Sequence, residues 1–457
     1  MNSKRLKIRE KIFYGLGDFG GNFCWAFISG FALIYFTNTL GLNAGIIGTI
    51  MLVSRLMDVV TDVVIGGFID KTRTKWGKAK PWFFWTIIPC AIATFMLFNV
   101  PKNVSEILQY IWIFVIYSLI GAGFYAANNI SYAASTSLIT TNKEDRVSMG
   151  TFRFFFALLA ALFINTFTMK LVDSFGGGET GWRWVALLYG VILVGAMLFT
   201  ALGIKELTPE ELGVEGKSDS DDLKIPLLTR IRYLVLNKYF LMIFGIYLAN
   251  YFAGGYMSGT GIYFCKYVLK NEALLGIIGL IQMVPVVIGL SFTPALTKKF
   301  GIRKVCMAGA SISILATVWN LAAGSWNFTC LLVGLAIAGL ASAPLVGSLN
   351  ALISETALYG FNKFNVRIEG TIFSCSSVGY KVGTGIGSAF SGWMLAYTGF
   401  NGLAAAQAQS VLSTIKVTYI GLPLLTSLIV FVILFFLNVE EVNKKSDMQK
   451  LTESSTL

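Results

Sequence analysis

The chain has 457 residues and not one histidine. That absence removes Ser-His and Cys-His nucleophilic arrangements and every His-ligated metal site. Charge is scarce too, at 13% of residues against about 25% in soluble domains. The cysteines (Cys24, Cys90, Cys265, Cys306, Cys330, Cys375) lie in apolar stretches with no C-x-x-C spacing, so they read as reduced packing residues, not a disulfide framework. What fills the chain is hydrophobic residue, 55% of the total, in long blocks that raise the mean hydropathy to +0.69. A soluble enzyme, a disordered chain and a nucleic-acid reader are all excluded. The net charge of +12 is the Lys and Arg excess expected of cytoplasmic loops in a membrane protein.

A membrane-crossing helix needs about 20 mostly apolar residues. Apolar runs and breakers give twelve such spans, at 13–38, 44–69, 82–100, 107–138, 149–172, 184–204, 238–265, 273–297, 305–324, 327–354, 370–397 and 414–438. The runs are continuous rather than alternating, which argues against a transmembrane β-barrel. The start MNSKRLKIREK is too charged, and too soon followed by a full-length span, for a cleaved signal peptide. With the amino terminus inside, 27 Lys and Arg fall in cytoplasmic segments and six in outer segments and helix ends, which predicts both termini in the cytoplasm. The longest polar stretch, KELTPEELGVEGKSDSDDLKIPLLTRIR, divides the chain. Expected units are a six-helix bundle at 1–204, a linker at 205–237 with an amphipathic piece at its end, a second bundle at 238–438 and a tail at 439–457. Basic loops after the second span of each half, DKTRTKWGKAKP and TKKFGIRK, form a weak internal repeat of the kind that builds transporters around a central site.

A charge at the bilayer centre costs at least about 2.5 kcal/mol, so each one calls for a reason. The second span contains RLMDVVTDVVIGGFID. Asp58 and Asp62 are four apart and share a helix face. Two inward carboxylates can hold Na⁺, or a proton if repulsion raises one pKa. Arg55 can pair with Asp58 as a buried staple, which does not account for Asp62. Asp70, beside Lys71 and Arg73, reads as a helix-end ion pair. Lys381, in SSVGYKVGTGIGSAF, lies too deep to snorkel and needs an acid such as Asp58 or Asp62 from the other half. Arg153 in TFRFFFALL either caps a helix or binds substrate. Asp18 and Asn22, four apart in the first span, are equally a gate, a structural hydrogen bond or a ligand contact. Asn128, Asn129, Ser131 and Tyr132 cluster in the fourth span, and Ser374, Ser376 and Ser377 precede Lys381. Amides and hydroxyls bind sugars, and equally they join helices.

At these residues the chain resembles the glycoside–pentoside–hexuronide:cation symporter family, the branch of the major facilitator superfamily that contains the melibiose permease. The likeness is strongest in RLMDVVTDVVIGGFIDKTRTKWGKAKPW, where the family reads R-x-x-D-x-x-x-D and then R-x-x-W-G-K-x-K-P-W. YGLGDFGGNF, the K-x-G at Lys381 and the R-x-E-G at Arg367–Gly370 also match. The resemblance implies an all-α integral membrane protein with the major facilitator fold, a multi-pass component of a bacterial cytoplasmic membrane working as a monomer. It implies a sugar symporter with alternating access, no cofactor, and H⁺ or Na⁺ as coupling ion. Asp58 and Asp62 would bind the cation, and would be the metal ligands if it is Na⁺. Lys381 would interact with them. The sugar would meet Asn22, Asn128, Tyr132, Arg153, Lys381 and Ser377, with Arg55, Asp18, Asp70, Arg367 and Lys381 coupling or gating.

Departures from the family pattern shift the expectation. Asn22 and Asn128 stand where the melibiose permease has sugar-binding aspartates, and Tyr132 where it has a tryptophan. Amides for acids make the pocket more positive, which favours a hexuronide; a neutral glycoside is the equal alternative. Thr61 and Tyr125 replace an asparagine and a threonine near the sodium site, which leans the coupling ion towards H⁺. A carrier of a lipid or zwitterion is the competing function within transport. A membrane enzyme lacks a nucleophile–base pair, and a receptor lacks room for a signalling domain.

Overall fold

The computed structural model describes residues 5–207, 227–324, 327–364, 369–404 and 406–445. Among the described residues twelve long helices follow one another. They are α1 (Ile8–Ile34), α2 (Ala44–Lys71), α3 (Lys80–Leu97), α4 (Glu106–Ile139), α5 (Lys143–Ser174), α6 (Gly178–Gly203), α7 (Lys238–Tyr263), α8 (Leu274–Phe300), α9 (Ile302–Trp319), α10 (Phe328–Phe364), α11 (Glu369–Tyr397) and α12 (Gln409–Phe436). Ten of these described helices are long and apolar enough to cross a membrane. The two that fall short are α2, interrupted by Arg55, Asp58 and Asp62, and α11, which carries Lys381. A short helix at Leu227–Leu236 ends the linker; residues 208–226 lie outside the described residues.

Local chemistry sets the helix starts. The Asn43 side chain accepts from the backbone N–H groups of Gly45 and Ile46 and caps α2, and Asn142 does the same for α5 through Glu144 and Asp145. That cap starts α5 at Lys143, so Arg153 lies ten residues into the helix, not at its end as the fifth expected span implies.

Two details repeat between the halves. The first helix of each half closes in a π turn, Tyr35–Thr39 after α1 and Phe264–Val268 after α7. The bonding matches, Leu40 and Leu42 donating to Tyr35 and Phe36 as Leu269 and Asn271 donate to Phe264 and Cys265. A glutamate just after the sixth helix caps the third. Glu206 accepts from the backbone of Lys78, Ala79 and Lys80 at 2.7, 3.1 and 2.5 Å. Glu440 accepts from Ile302 and Arg303 at 3.3 and 3.0 Å. Each carboxylate satisfies N–H groups that a helix start leaves unpaired and sits at the positive end of its dipole.

By packing, the chain forms two compact units, Met1–Gly216 with Gly255–Gly279 and Gly385–Ile415, and Lys217–Gly254 with Leu280–Thr384 and Lys416–Leu457. The first unit is built on α1, which buries Phe23, Phe27 and Phe31 against Tyr189, Phe98 and Trp182. It also takes in the final stretches of α7 and α11. Thr37 meets the Tyr263 hydroxyl at 2.7 Å, and the Trp393 indole donates to Thr49 at 3.0 Å. A Cβ at Gly392 would collide with the Ala44 carbonyl, so only glycine permits this approach of α11 to α2. The second unit packs Tyr239, Ile243, Ile246, Leu352 and Leu434 into its own core.

Candidate functional site

In α2 the Arg55 guanidinium donates to Asp58 Oδ2 at 3.0 Å. Both are buried, at 9% and 1% exposure. One turn on, Asp62 is half-buried. The Thr61 hydroxyl donates to its own helix, to the carbonyls of Met57 and Asp58. α4 comes close because it is locally unwound into a π segment, Leu119–Tyr125, a feature common at functional sites. Gly121 in that segment touches the carboxylate, and a Cβ there would lie 2.8 Å from Asp58 Oδ1. Gly385 of α11 flanks the arginine, where a Cβ would come within 2.9 Å of Arg55 Cβ. The guanidinium carbon stands 3.6 Å from the Trp25 ring centroid, a close cation–π contact. Trp25 stacks in turn on Tyr125, centroids 5.2 Å apart.

A second charged pair joins α1 to α5. Arg153 Nε and Nη2 donate to Asp18 Oδ2 and Oδ1 at 2.6 and 3.2 Å, a fork-on-fork geometry that a lysine could not reproduce. The side chains keep 25% and 18% of their exposure. The same guanidinium lies 4.5 Å from the Tyr132 centroid. Tyr132 is buried against Tyr14, with rings 4.6 Å apart, and its hydroxyl donates to the Tyr14 carbonyl while the Tyr14 hydroxyl donates to the Tyr132 carbonyl.

The structure brings together Arg55 with Asp58 and Asp18 with Arg153 and Tyr132. The Asn22 amide donates to the Asp18 carbonyl of its own helix at 2.8 Å. The Asn128 side chain is buried and donates to the Phe83 carbonyl and Thr86 hydroxyl of α3, at 3.1 and 3.0 Å. Lys381 is half-buried and Ser377 exposed on α11, in the second unit. Asp70 lies near the end of α2, its side chain outside the described residues, as is the whole of Arg367. Sequence reasoning missed Trp25, Tyr14 and Gly121. Trp25 had a readable signal: it follows Asp18 by seven and Asn22 by three, so all three fall on one side of α1.

Over residues 13–441 the chain matches the MFS/sugar transport protein family. It is 29% identical over 442 residues to an isoprimeverose transporter of Lactiplantibacillus pentosus, covering 95% of this chain and 90% of that one. To the uncharacterized symporter YjmB of Bacillus subtilis (strain 168) it is 30% identical over 458 residues, covering 99% and 97%. Among solved structures, a bacterial homolog of the human lysosomal transporter Spinster, inward-facing and occupied, superposes with a TM-score of 0.65 at 14% identity, covering 96% and 97%; that likeness is one of fold. The R-x-x-D-x-x-x-D helix, the apolar helices and these matches agree: the chain is a multi-pass membrane carrier that belongs to the MFS/sugar transport protein family.

Proposed function

We propose that the chain is a cation-coupled symporter that carries a neutral glycoside across the membrane with H⁺, as a monomer with both termini cytoplasmic and twelve spans in two six-helix bundles. The observation that carries symport is the pair of acids one turn apart in α2, Asp58 buried at 1% exposure and Asp62 half-buried. Intramembrane carboxylates are expensive and mark ion pathways. H⁺ is favoured over Na⁺ by the surroundings. A hard cation is held by several oxygens, whereas Arg55 already occupies Asp58 Oδ2 and the Thr61 hydroxyl turns to its own backbone. A proton needs one carboxylate of raised pKa. The proposed coupling set also includes Lys381, the lysine that α11 carries within its span.

The substrate class follows from Asp18. A lone Arg153 would suit a hexuronide carboxylate, but two hydrogen bonds to Asp18 neutralise it. An acid–guanidinium pair accepts from and donates to the hydroxyls of an uncharged ring. The relative named as an isoprimeverose transporter supports the same class.

The test is uptake into proteoliposomes of radiolabelled isoprimeverose, a nitrophenyl glucoside and a nitrophenyl glucuronide, with a pH gradient and a Na⁺ gradient imposed separately. Accumulation of a neutral glycoside under the pH gradient is expected. Accumulation under Na⁺ alone refutes the coupling ion, preference for the glucuronide refutes the substrate class, and no accumulation of any sugar under either gradient refutes symport.

A further inference from the structure

Tyr14 and Asp18 are four residues apart on α1 and share a face, and both hold the same base. Arg153 gives Asp18 two hydrogen bonds, at 2.6 and 3.2 Å. It gives a third to the Tyr14 hydroxyl, its guanidinium carbon lying 5.9 Å from the Tyr14 ring centroid and 4.5 Å from that of Tyr132. Tyr14 is fully buried. Its hydroxyl donates its proton to the Tyr132 carbonyl of α4 at 3.0 Å. That leaves its two lone pairs for the Arg153 guanidinium and the Thr136 hydroxyl. Tyr132 returns the bond: its hydroxyl donates to the Tyr14 carbonyl and accepts from the Asp18 backbone N–H, and the two rings stack 4.6 Å apart. A Cβ at Gly17 would lie 2.6 Å from the Tyr132 ring, so glycine is what lets α4 come this close. The Tyr14 hydroxyl is a fixed point, whereas Asp18 and Arg153 are half-buried and within reach of a ligand.

We propose that Tyr14 is the positioning residue that sets the substrate class at this site, by keeping the Arg153 guanidinium on Asp18 and so excluding an anionic sugar; this rests on the sugar site proposed above. Arginine binds a carboxylate best through two parallel N–H groups. Asp18 occupies such an edge, Nε and Nη2. A sugar carboxylate either displaces Asp18 from that edge or sits beside Asp18, a like-charge contact. Displacement requires the guanidinium to turn. The Tyr14 hydroxyl resists the turn, because a third hydrogen bond to the charged group breaks with it. Both anchors belong to α1, so they keep their spacing wherever that helix moves. A neutral ring takes the pair as it stands, donating hydroxyls to Asp18 and accepting from the N–H groups of Arg153 that remain.

The measurement is competition by nitrophenyl glucoside and nitrophenyl glucuronide, which differ only at C6, against radiolabelled isoprimeverose or the glycoside of highest uptake in the panel above. In the unmodified protein the glucoside binds the more tightly. Tyr14→Phe keeps the ring and removes one oxygen. In that variant the preference falls about tenfold, the worth of one hydrogen bond to a charged group. A general loosening of α1 against α4 would weaken both sugars alike and leave the ratio. Thr136→Val removes the other side-chain partner of the Tyr14 hydroxyl without touching Arg153, and keeps the ratio. In an Asp18→Asn background the guanidinium has no acid to be held on, so adding Tyr14→Phe changes the ratio by less than about twofold. If Tyr14→Phe does not insert, 4-aminophenylalanine at position 14 carries the same expectation, since it keeps a donor for the Tyr132 carbonyl and loses the acceptor for Arg153. An unchanged ratio in Tyr14→Phe overturns the proposal. So does an equal loss in Thr136→Val, or a further tenfold loss in the Asp18→Asn background. Failure of the sugar reading itself is distinguishable, because the unmodified protein then binds neither glycoside or prefers the glucuronide.

Discussion

Asp18 and Arg153 clasp each other through two hydrogen bonds, 2.6 and 3.2 Å long, across α1 and α5. The resemblance implied an amide, Asn22, at the sugar-binding position of α1. One turn earlier the same helix face supplies an acid, and that acid holds the arginine. The arginine that the resemblance would make a free positive charge is therefore paired with an acid.

Removing this charge separates recognition from assembly. Asp18→Asn keeps the size of the side chain and leaves the guanidinium half without its partner. Affinity for a neutral glycoside should fall at least tenfold, about 1.4 kcal/mol, measured by isothermal titration. Stability should fall by about 2 kcal/mol, less than the 3–5 of a fully buried pair because water reaches both groups. Unchanged affinity would make the pair a helix staple only.

The α2 carboxylates should divide transport from exchange. Asp58→Asn and Asp62→Asn keep volume and lose the charge proposed to hold the cation. Gradient-driven accumulation should vanish, while sugar counterflow, which needs no net ion movement, persists. Variants that accumulate sugar like the unmodified protein would show the acids to be structural.

Asn128 gives a contrasting case. Its amide is committed to the Phe83 carbonyl and Thr86 hydroxyl of α3. Asn128→Ala should cost about 1–2 kcal/mol of stability, read as a lower melting temperature in detergent. Its effect on sugar affinity should be smaller than that of Asp18→Asn. A loss of affinity exceeding the Asp18→Asn effect, at unchanged melting temperature, would place Asn128 on the sugar instead.

Glu206 and Glu440 occupy matching places in the two halves, so their removal should have matching consequences. Glu206→Ala abandons three backbone N–H groups and Glu440→Ala two. Both should destabilise by about 1–2 kcal/mol, Glu206→Ala the more, by analogy with loss of a helix cap. Equal melting temperatures for both variants and the unmodified protein would deny them a capping role.

The close approach of α11 to α2 at Gly392 should be required for the transport cycle. A valine there would collide with the Ala44 carbonyl from its first added carbon. Gly392→Val should lower the transport rate at least tenfold while the protein still inserts and binds sugar. A normal rate would mean that this packing is dispensable to turnover.

Much of this protein is legible in its amino-acid sequence. Apolar runs locate the helices to within a few residues over most of the chain, because lipid leaves a backbone no partner but itself. At the start of α5 a polar side chain is the cause of the disagreement, since the Asn142 cap begins the helix six residues ahead of the expected span; α6 starts six residues early after Gly177 without a side-chain cap, and α10 runs ten residues past its expected end. The charged positions are also legible, since each charge stands out against hydrocarbon. α2 and α11, the helices that fall short as simple apolar spans, both carry charges that stand out in the sequence, as do α1 with Asp18 and α5 with Arg153.

Pairing is not legible in the same way. Sequence spacing puts Arg55 beside Asp58, because three residues on a helix are neighbours, and that contact exists. It could not join Asp18 to Arg153, which lie 135 residues apart. Nor could it place Trp25 on Arg55 or Gly121 on Asp58, since such contacts depend on how helices cross and on the local π unwinding of α4.

Composition and periodicity alone determined that this is a helical membrane protein with ionisable groups inside it, because the cost of charge and of unpaired backbone in lipid is incurred residue by residue along the chain. Which acid neutralises which base, only the tertiary structure decided. Coulomb interaction falls with distance through space, and distance between helices is set by packing that no single stretch of sequence contains.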